Sequence, residues 1–219
     1  LGVQEARARG AQAIMTLNDD TLPDPGFIAA MKAAAAARPG ALIGALTVDH
    51  ETGEPVYWGE RVFWPTAAFR PLPRPGPGPA RGLHPVTHFP GRGLFIPAPV
   101  FDAIGLFDER RFPHYAADYD FTHRAQRAGF PIFCAYDAPL ASRVSASGGG
   151  ALMRTRTVRH YLRHLTSRKG TGNLLVFFRY ARRNCPARWL LPCLIAGTVR
   201  RLAGYPLRAG LERLRRRDA

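Results

Sequence analysis

Apolar residues fall in short runs separated by polar turns, and the spacing within each run limits the element it can form. Residues 1–12 have helical composition ending at Gly10, and Ala13-Ile14-Met15-Thr16-Leu17 is a compact apolar run suited to a buried strand. Asn18-Asp19-Asp20-Thr21 follows as a polar turn, after which a helix starts near Pro25 with Asp24 as its N-cap. Phe27, Ile28, Met31, Ala34 and Ala35 recur at helical spacing, and Pro39-Gly40 ends that stripe. Ala41 to Val48 predicts a second buried strand, Glu51-Thr52-Gly53-Glu54 a turn, and Pro55 to Phe63 the returning arm of a hairpin. Proline and glycine crowd residues 65–90, so a long surface loop without regular structure is expected there, either an acceptor-facing flap or a linker.

Pro99 to Ile104 fits a short helix stopped by Gly105. Asp118 to Ala128 fits a longer one, with acids in its first turn, Arg124 and Arg127 later and Gly129 at the stop. Pro131 to Tyr136 then reads as a strand. Alternation of strands and helices predicts an α/β fold with a mixed, mostly parallel sheet flanked by helices and carrying at least one inserted hairpin. Ligands of such folds bind beyond the carboxyl ends of the strands, where Asn18-Asp19-Asp20 falls.

Charge divides the chain. Residues 1–150 hold 14 Lys and Arg against 14 Asp and Glu, whereas residues 151–219 hold 17 against 2, so the whole net charge of +15 belongs to the tail. The expected division is therefore an α/β domain over residues 1–150 and a basic helical appendage over residues 151–219. The appendage has three readings: a device for meeting an anionic membrane surface or lipid-linked partner, a solvated arginine-rich face, or, least favoured, a nucleic-acid contact. The apolar run Trp189 to Val199, between Arg188 and Arg200, suits either a helix lying in a headgroup region or one packed against the α/β domain. Cys134, Cys185 and Cys193 have no metal or redox spacing and read as buried apolar residues in a reducing, cytoplasmic setting.

Two clusters can carry chemistry. Carboxylates in a turn at a strand end can hold Mg²⁺ or Mn²⁺ against diphosphate oxygens, although Asn-Asp-Asp-Thr is equally good turn chemistry. In Tyr115-Ala116-Ala117-Asp118-Tyr119-Asp120 the two acids, two apart at a helix start, point different ways. One can face a cleft as a general base, or both can simply complement the helix dipole. His84 and His88, separated by Pro85, read as loop residues, His114 and His123 as surface histidines, and Trp58 and Trp64 as packing residues.

Leu17-Asn18-Asp19-Asp20-Thr21 resembles the variant DxD signature of family 2 glycosyltransferases of the GT-A type, rhamnosyltransferase-like members included. Gly91-Arg92-Gly93-Leu94-Phe95-Ile96-Pro97, Phe101, Gly105-Leu106-Phe107-Asp108-Glu109, Phe112, Tyr115, Asp118, Asp120, Arg124 and Gly129 follow that family's acceptor-side pattern in order and spacing. The resemblance covers roughly residues 1–145 and extends to Tyr161 to Asn173. It implies inverting transfer of a sugar from a nucleotide-diphosphate sugar to a glycan or lipid-linked acceptor, a precursor of cell-surface polysaccharide or glycolipid. It also implies Asp20 as ligand of Mg²⁺ or Mn²⁺, Asn18 beside the diphosphate with Asp19 assisting, Asp118 as catalytic base, and Asp120 orienting the helix start or the acceptor.

Three positions depart from the pattern. Ala117 stands where many members have Glu, and Arg143 stands where many place a metal-binding His, so Arg143 is expected on the leaving diphosphate. The chain starts at Leu1 without the strand that grips the nucleoside in the family, and reads as the later part of a longer protein. The rival readings are a non-catalytic basic remnant and a metal-dependent nucleotide-sugar hydrolase.

Overall fold

A computed structural model describes residues 1–76, 80–113, 115–143, 158–167 and 172–215. His114 and the glycine run at 148–150 lie outside the described residues. The chain divides into two compact units, one of Leu1–Val62, Phe69–Asp108 and Asp118–Ser147, the other of Phe63–Ala68, Glu109–Ala117 and Gly148–Ala219.

The first unit is built on a sheet whose strands are β1 (Ala13–Thr16), β2 (Thr21–Leu22), β3 (Leu42–Asp49), β4 (Pro55–Tyr57), β7 (Leu83–Pro85), β8 (Leu94–Pro97) and β9 (Ile132–Ser142); β5 (Glu60–Phe63) and β6 (Ala68–Pro71) form a separate ribbon. The main order is β1-β8-β3-β9-β2, with β4 on β3 and β7 on β9. Only β3 and β9 run parallel among the described pairings, and β1–β8, β3–β8, β3–β4, β2–β9 and β7–β9 are antiparallel. The sheet is thus mixed and mostly antiparallel, which corrects the expected parallel character. Among the described pairings of the main sheet only β3–β4 is a hairpin; the other antiparallel pairs join strands remote in sequence, so the order of elements along the chain does not set their direction.

β3 is buried on both faces, which explains its continuous apolar run. Leu42 and Leu46 face one core with Leu94, Ile96, Phe101, Phe121 and Ile132, and Ile43 and Ala45 face a second with Phe27, Met31 and Leu140. The first core is covered by α3 (Ala98–Ile104) and α4 (Ala117–Arg127), the second by α2 (Phe27–Ala37). α1 (Gly2–Ala8) contributes Val3 to the edge of the first. The register between β3 and β9 slips between Ala45 and Leu46, where Tyr136, Asp137 and Ala138 are extra on β9. That odd insertion moves β9's buried side chains from the first core (Ile132, Cys134, Tyr136) to the second (Ala138, Leu140).

Several local expectations change. The N-cap of α2 is Gly26; Asp24 contributes its backbone carbonyl, which accepts from Phe27 N–H at 2.9 Å, and Ile28 is exposed. The hairpin arm breaks at Gly59, whose φ of 92° and close neighbours Val86 and Cys134 leave no room for a side chain, so β4 pairs with β3 while β5 joins β6. Residues 65–90 are not one unstructured loop, since they contain β6, β7 and the buried residues Val86, His88 and Phe89. Phe89 lies flat against Gly44, where an added Cβ would sit 2.2 Å from the ring.

In the second unit α5 (Val158–Thr166) is followed by α6 (Leu174–Asn184) and α7 (Ala187–Arg215), and these last two pack with a short turn at Trp64–Thr66 around Phe177, Ala181, Cys185 and Cys193. Asn173 caps α6 by accepting from Val176 N–H, and its amide donates to the last carbonyls of the α5 region, Thr166 and Ser167. All three cysteines are free and buried. Among the described residues no helix is long and apolar enough to cross a membrane.

Candidate functional site

Two strand ends and one helix start meet at the segment Gly91-Arg92-Gly93. β1 ends at Thr16, whose carbonyl accepts from Gly93 N–H at 2.9 Å. The chain then turns through Asn18-Asp19-Asp20, where Thr21 donates both its N–H and its hydroxyl to the Asn18 carbonyl, and enters β2 beside the end of β9. There the Asp20 carbonyl accepts from Arg143 N–H at 2.9 Å, which fixes residue 143 next to the acidic turn. Asn18, Asp19 and the Arg143 side chain are exposed, and Asp20 is half-buried. One Asp20 carboxylate oxygen, Oδ1, is buried with no hydrogen-bond partner, while Oδ2 lies 4.0 Å from the Arg92 guanidinium.

Asp118 stands in the first turn of α4, and its two carboxylate oxygens accept from Gly91 N–H and Tyr119 N–H, each at 2.9 Å. A Cβ placed on Gly91 would lie 3.8 Å from both Asp118 Cβ and Thr16 Oγ1, so the helix start and the strand end are separated by no more than twice that distance. Consecutive residues, Gly91 and Arg92, therefore touch Asp118 and Asp20 respectively. Burial lifts the Asp118 carboxyl above its ordinary range, against the opposing pull of the Gly91 and Tyr119 amides and of His88. A carboxylate so placed is a better proton acceptor than one in water.

Behind Asp118 lies a polar network that the sequence did not reveal. Tyr119 donates its hydroxyl to Glu60 Oε1 at 2.8 Å, His88 Nε2 meets the same oxygen at 3.0 Å, and His88 Nδ1 meets Thr87 Oγ1 at 2.9 Å. His88 is fully buried between Phe69, Tyr119 and the His123 ring, and His123 is itself buried, so neither is the loop or surface histidine expected. Burial and the adjacent Glu60 charge hold the Tyr119 hydroxyl protonated, and burial, with His88 and Arg127 nearby, lowers His123 well below the usual histidine value. His84 stacks on Tyr136, apart from this network, and Trp58 and Trp64 both pack.

Asp120 has no exposed surface. Its Oδ2 accepts from Arg124 Nε at 2.9 Å, and the same guanidinium donates to the Ile104 and Leu106 carbonyls at 2.5 and 2.8 Å, which ties α4 to the end of α3. Of the two roles expected for Asp120, this geometry fits orientation of the helix start rather than contact with a substrate.

Among the described residues no three His, Cys, Asp or Glu side chains converge as a metal site. The buried, unpartnered Asp20 Oδ1 does fit a hard cation that arrives with a diphosphate, because such cations take one or two protein carboxylates and complete their shell with phosphate and water.

No family model matches the chain, and no curated protein matches it. Among solved structures, that of GalNAc-T7 with UDP, GalNAc and Mn²⁺ is similar at 12% identity and a TM-score of 0.49, covering 84% of this chain. The chain spans 38% of that structure's length. Any functional reading therefore rests on this chain's own residues.

Proposed function

We propose that the first unit carries the diphosphate- and acceptor-side elements of an inverting glycosyltransferase, which moves a sugar from a nucleotide-diphosphate sugar to a cell-surface polysaccharide or glycolipid precursor. The observation that supports this reading is the link through Gly91 and Arg92, which joins a carboxylate of raised proton affinity to the turn that carries Asp20, with Arg92 and the backbone of Arg143 against that turn. Asp118 takes the proton of the acceptor hydroxyl as its oxygen bonds to the anomeric carbon. The bond from that carbon to the diphosphate breaks with its electron pair on the diphosphate, and the configuration inverts. Arg92 and Arg143 offset the charge that appears on the leaving group, and Asn18 and Asp19 border it. When bound, Mg²⁺ or Mn²⁺ held by Asp20 would supply further stabilisation of that charge.

The test is release of nucleoside diphosphate from a panel of nucleotide-sugars with lipid and glycan acceptors. D118N should lower kcat by about 10²–10⁴-fold while donor affinity holds. Wild-type turnover in D118N would refute the assignment.

The second unit is proposed to rest on an anionic membrane surface at the cytoplasmic side. Leu191, Ile195, Val199 and Leu202 recur at helical spacing on α7 and are all exposed, with Trp189 at the start of the helix and the arginine-rich tail around them. An apolar stripe edged by guanidinium groups matches an acyl boundary beneath lipid phosphates, whereas it does not match the polar backbone of a nucleic acid.

A further inference from the structure

Arg111, Arg179, Arg182 and Arg183 line one cavity of about 460 Å³ in the second unit. Three of them stand at i, i+3 and i+4 on α6, so its last turns present three guanidinium groups on one face. The fourth arrives from a separate stretch of chain and is held beside them, because Arg179 Nη1 donates to the Arg111 carbonyl at 3.4 Å. A helix C-terminus favours cations, which accounts for arginines on α6. It accounts neither for the fourth arginine nor for the open concavity that all four line.

We propose that this cavity is a binding site for clustered phosphate groups. The planar donor forks of arginine match phosphate oxygens two at a time, and four of them exceed what one carboxylate can neutralise. The volume lies within the range of about 300–1,000 Å³ usual for small-ligand sites. The same chemistry serves a soluble diphosphate and the phosphate head of an anionic lipid. The site is separate from the residues assigned to sugar transfer and stands whether or not that assignment holds.

The experiment uses the full chain, titrated by calorimetry with inorganic pyrophosphate and sedimented with phosphatidylcholine vesicles with and without phosphatidic acid. R182Q/R183Q removes two lining charges and keeps residues of good helix propensity. R163Q/R188Q removes two charges elsewhere in the same unit, and far-UV circular dichroism checks that both variants fold. Pyrophosphate affinity should fall by more than about tenfold in R182Q/R183Q, since each charge-assisted bond lost is of that order, and by less than about twofold in R163Q/R188Q. R182K/R183K should recover only part of it. Loss confined to R182Q/R183Q with pyrophosphate identifies a soluble diphosphate as ligand; the same pattern with phosphatidic acid vesicles alone identifies a lipid head. Equal losses in the two glutamine variants, or no binding of either probe by the wild type, would overturn the proposal.

Discussion

Replacing Arg124 by methionine should be among the most damaging single changes in the first unit. Arg124 is 10% exposed, and its guanidinium bonds Asp120, which has no exposed surface, together with the carbonyls of Ile104 and Leu106. The R124M variant keeps most of the side chain's packing but leaves the Asp120 carboxylate buried without its cation and two carbonyls short of a donor. Breaking a buried ion pair from one side costs about 3–5 kcal/mol. For a chain of this size that corresponds to a fall in Tm on the order of 10 °C. Trp58 is the only tryptophan of the first unit, so in a W64F/W189F background its fluorescence during urea unfolding reports that unit alone. The midpoint should drop with little change in slope. D120N/R124M should recover a large part of the loss, because it removes the stranded charge as well. A double variant no more stable than R124M, or an R124M loss below about 1 kcal/mol, would refute the view that this pair braces the start of α4.

Further outcomes follow from the same geometry. The Asp118 carboxyl is lifted above its ordinary value of 3.8, so the folded chain binds this proton more tightly than the unfolded chain; its contribution to stability is greatest below 3.8 and declines as pH rises through the lifted value. The Tm of wild type relative to D118N should therefore rise on acidification from neutral pH towards 3.8, and a fall over that window would contradict the burial argument. Gly93 has φ 68°, and a Cβ there would lie 2.8 Å from both Ala45 Cβ and Leu140 Cδ2, so G93A should destabilise by roughly 2–4 kcal/mol in the same tryptophan assay. L191S/I195S/V199S should weaken co-sedimentation with anionic vesicles by more than about tenfold and leave the unfolding midpoint unchanged, since these side chains are already exposed. Binding unaffected by the triple change would remove α7 from the membrane proposal.

Long periodic segments were legible in the sequence, because burial on one or both faces leaves a pattern that no other arrangement satisfies. The runs at 13–17, 41–48 and 118–128 became β1, β3 and α4 within a residue or two, and Gly105 and Gly129 stop their helices with φ of 73° and 92°. Sheet direction was not legible, since β2, β7 and β8 are two to four residues long and their pairing is decided by neighbours remote in sequence. The proline-rich stretch misled for a related reason: β6 is ordered by pairing with β5, β7 by pairing with β9, and His88 and Phe89 by contacts with Glu60, Gly44 and Thr122, none of which composition carries. At the candidate site, the acidic turn and Asp118 were singled out through the family resemblance, whereas the contacts that link them could not be read from the sequence. Gly91 and Arg92 act through one backbone N–H and one side-chain reach, and Glu60 acts through a hydrogen bond 59 residues distant in the chain.

The central claim is that Asp20 and Asp118 serve one site, the first at the diphosphate and the second at the acceptor. Titrating the full chain with UDP, GDP and dTDP, with and without Mn²⁺, separates those roles in a single measurement. At least one nucleotide should bind saturably and more tightly with Mn²⁺; D20N should abolish the Mn²⁺ effect, and D118N should leave it intact. Absence of binding by every nucleotide, or equal binding by wild type and D20N with Mn²⁺ present, would contradict it.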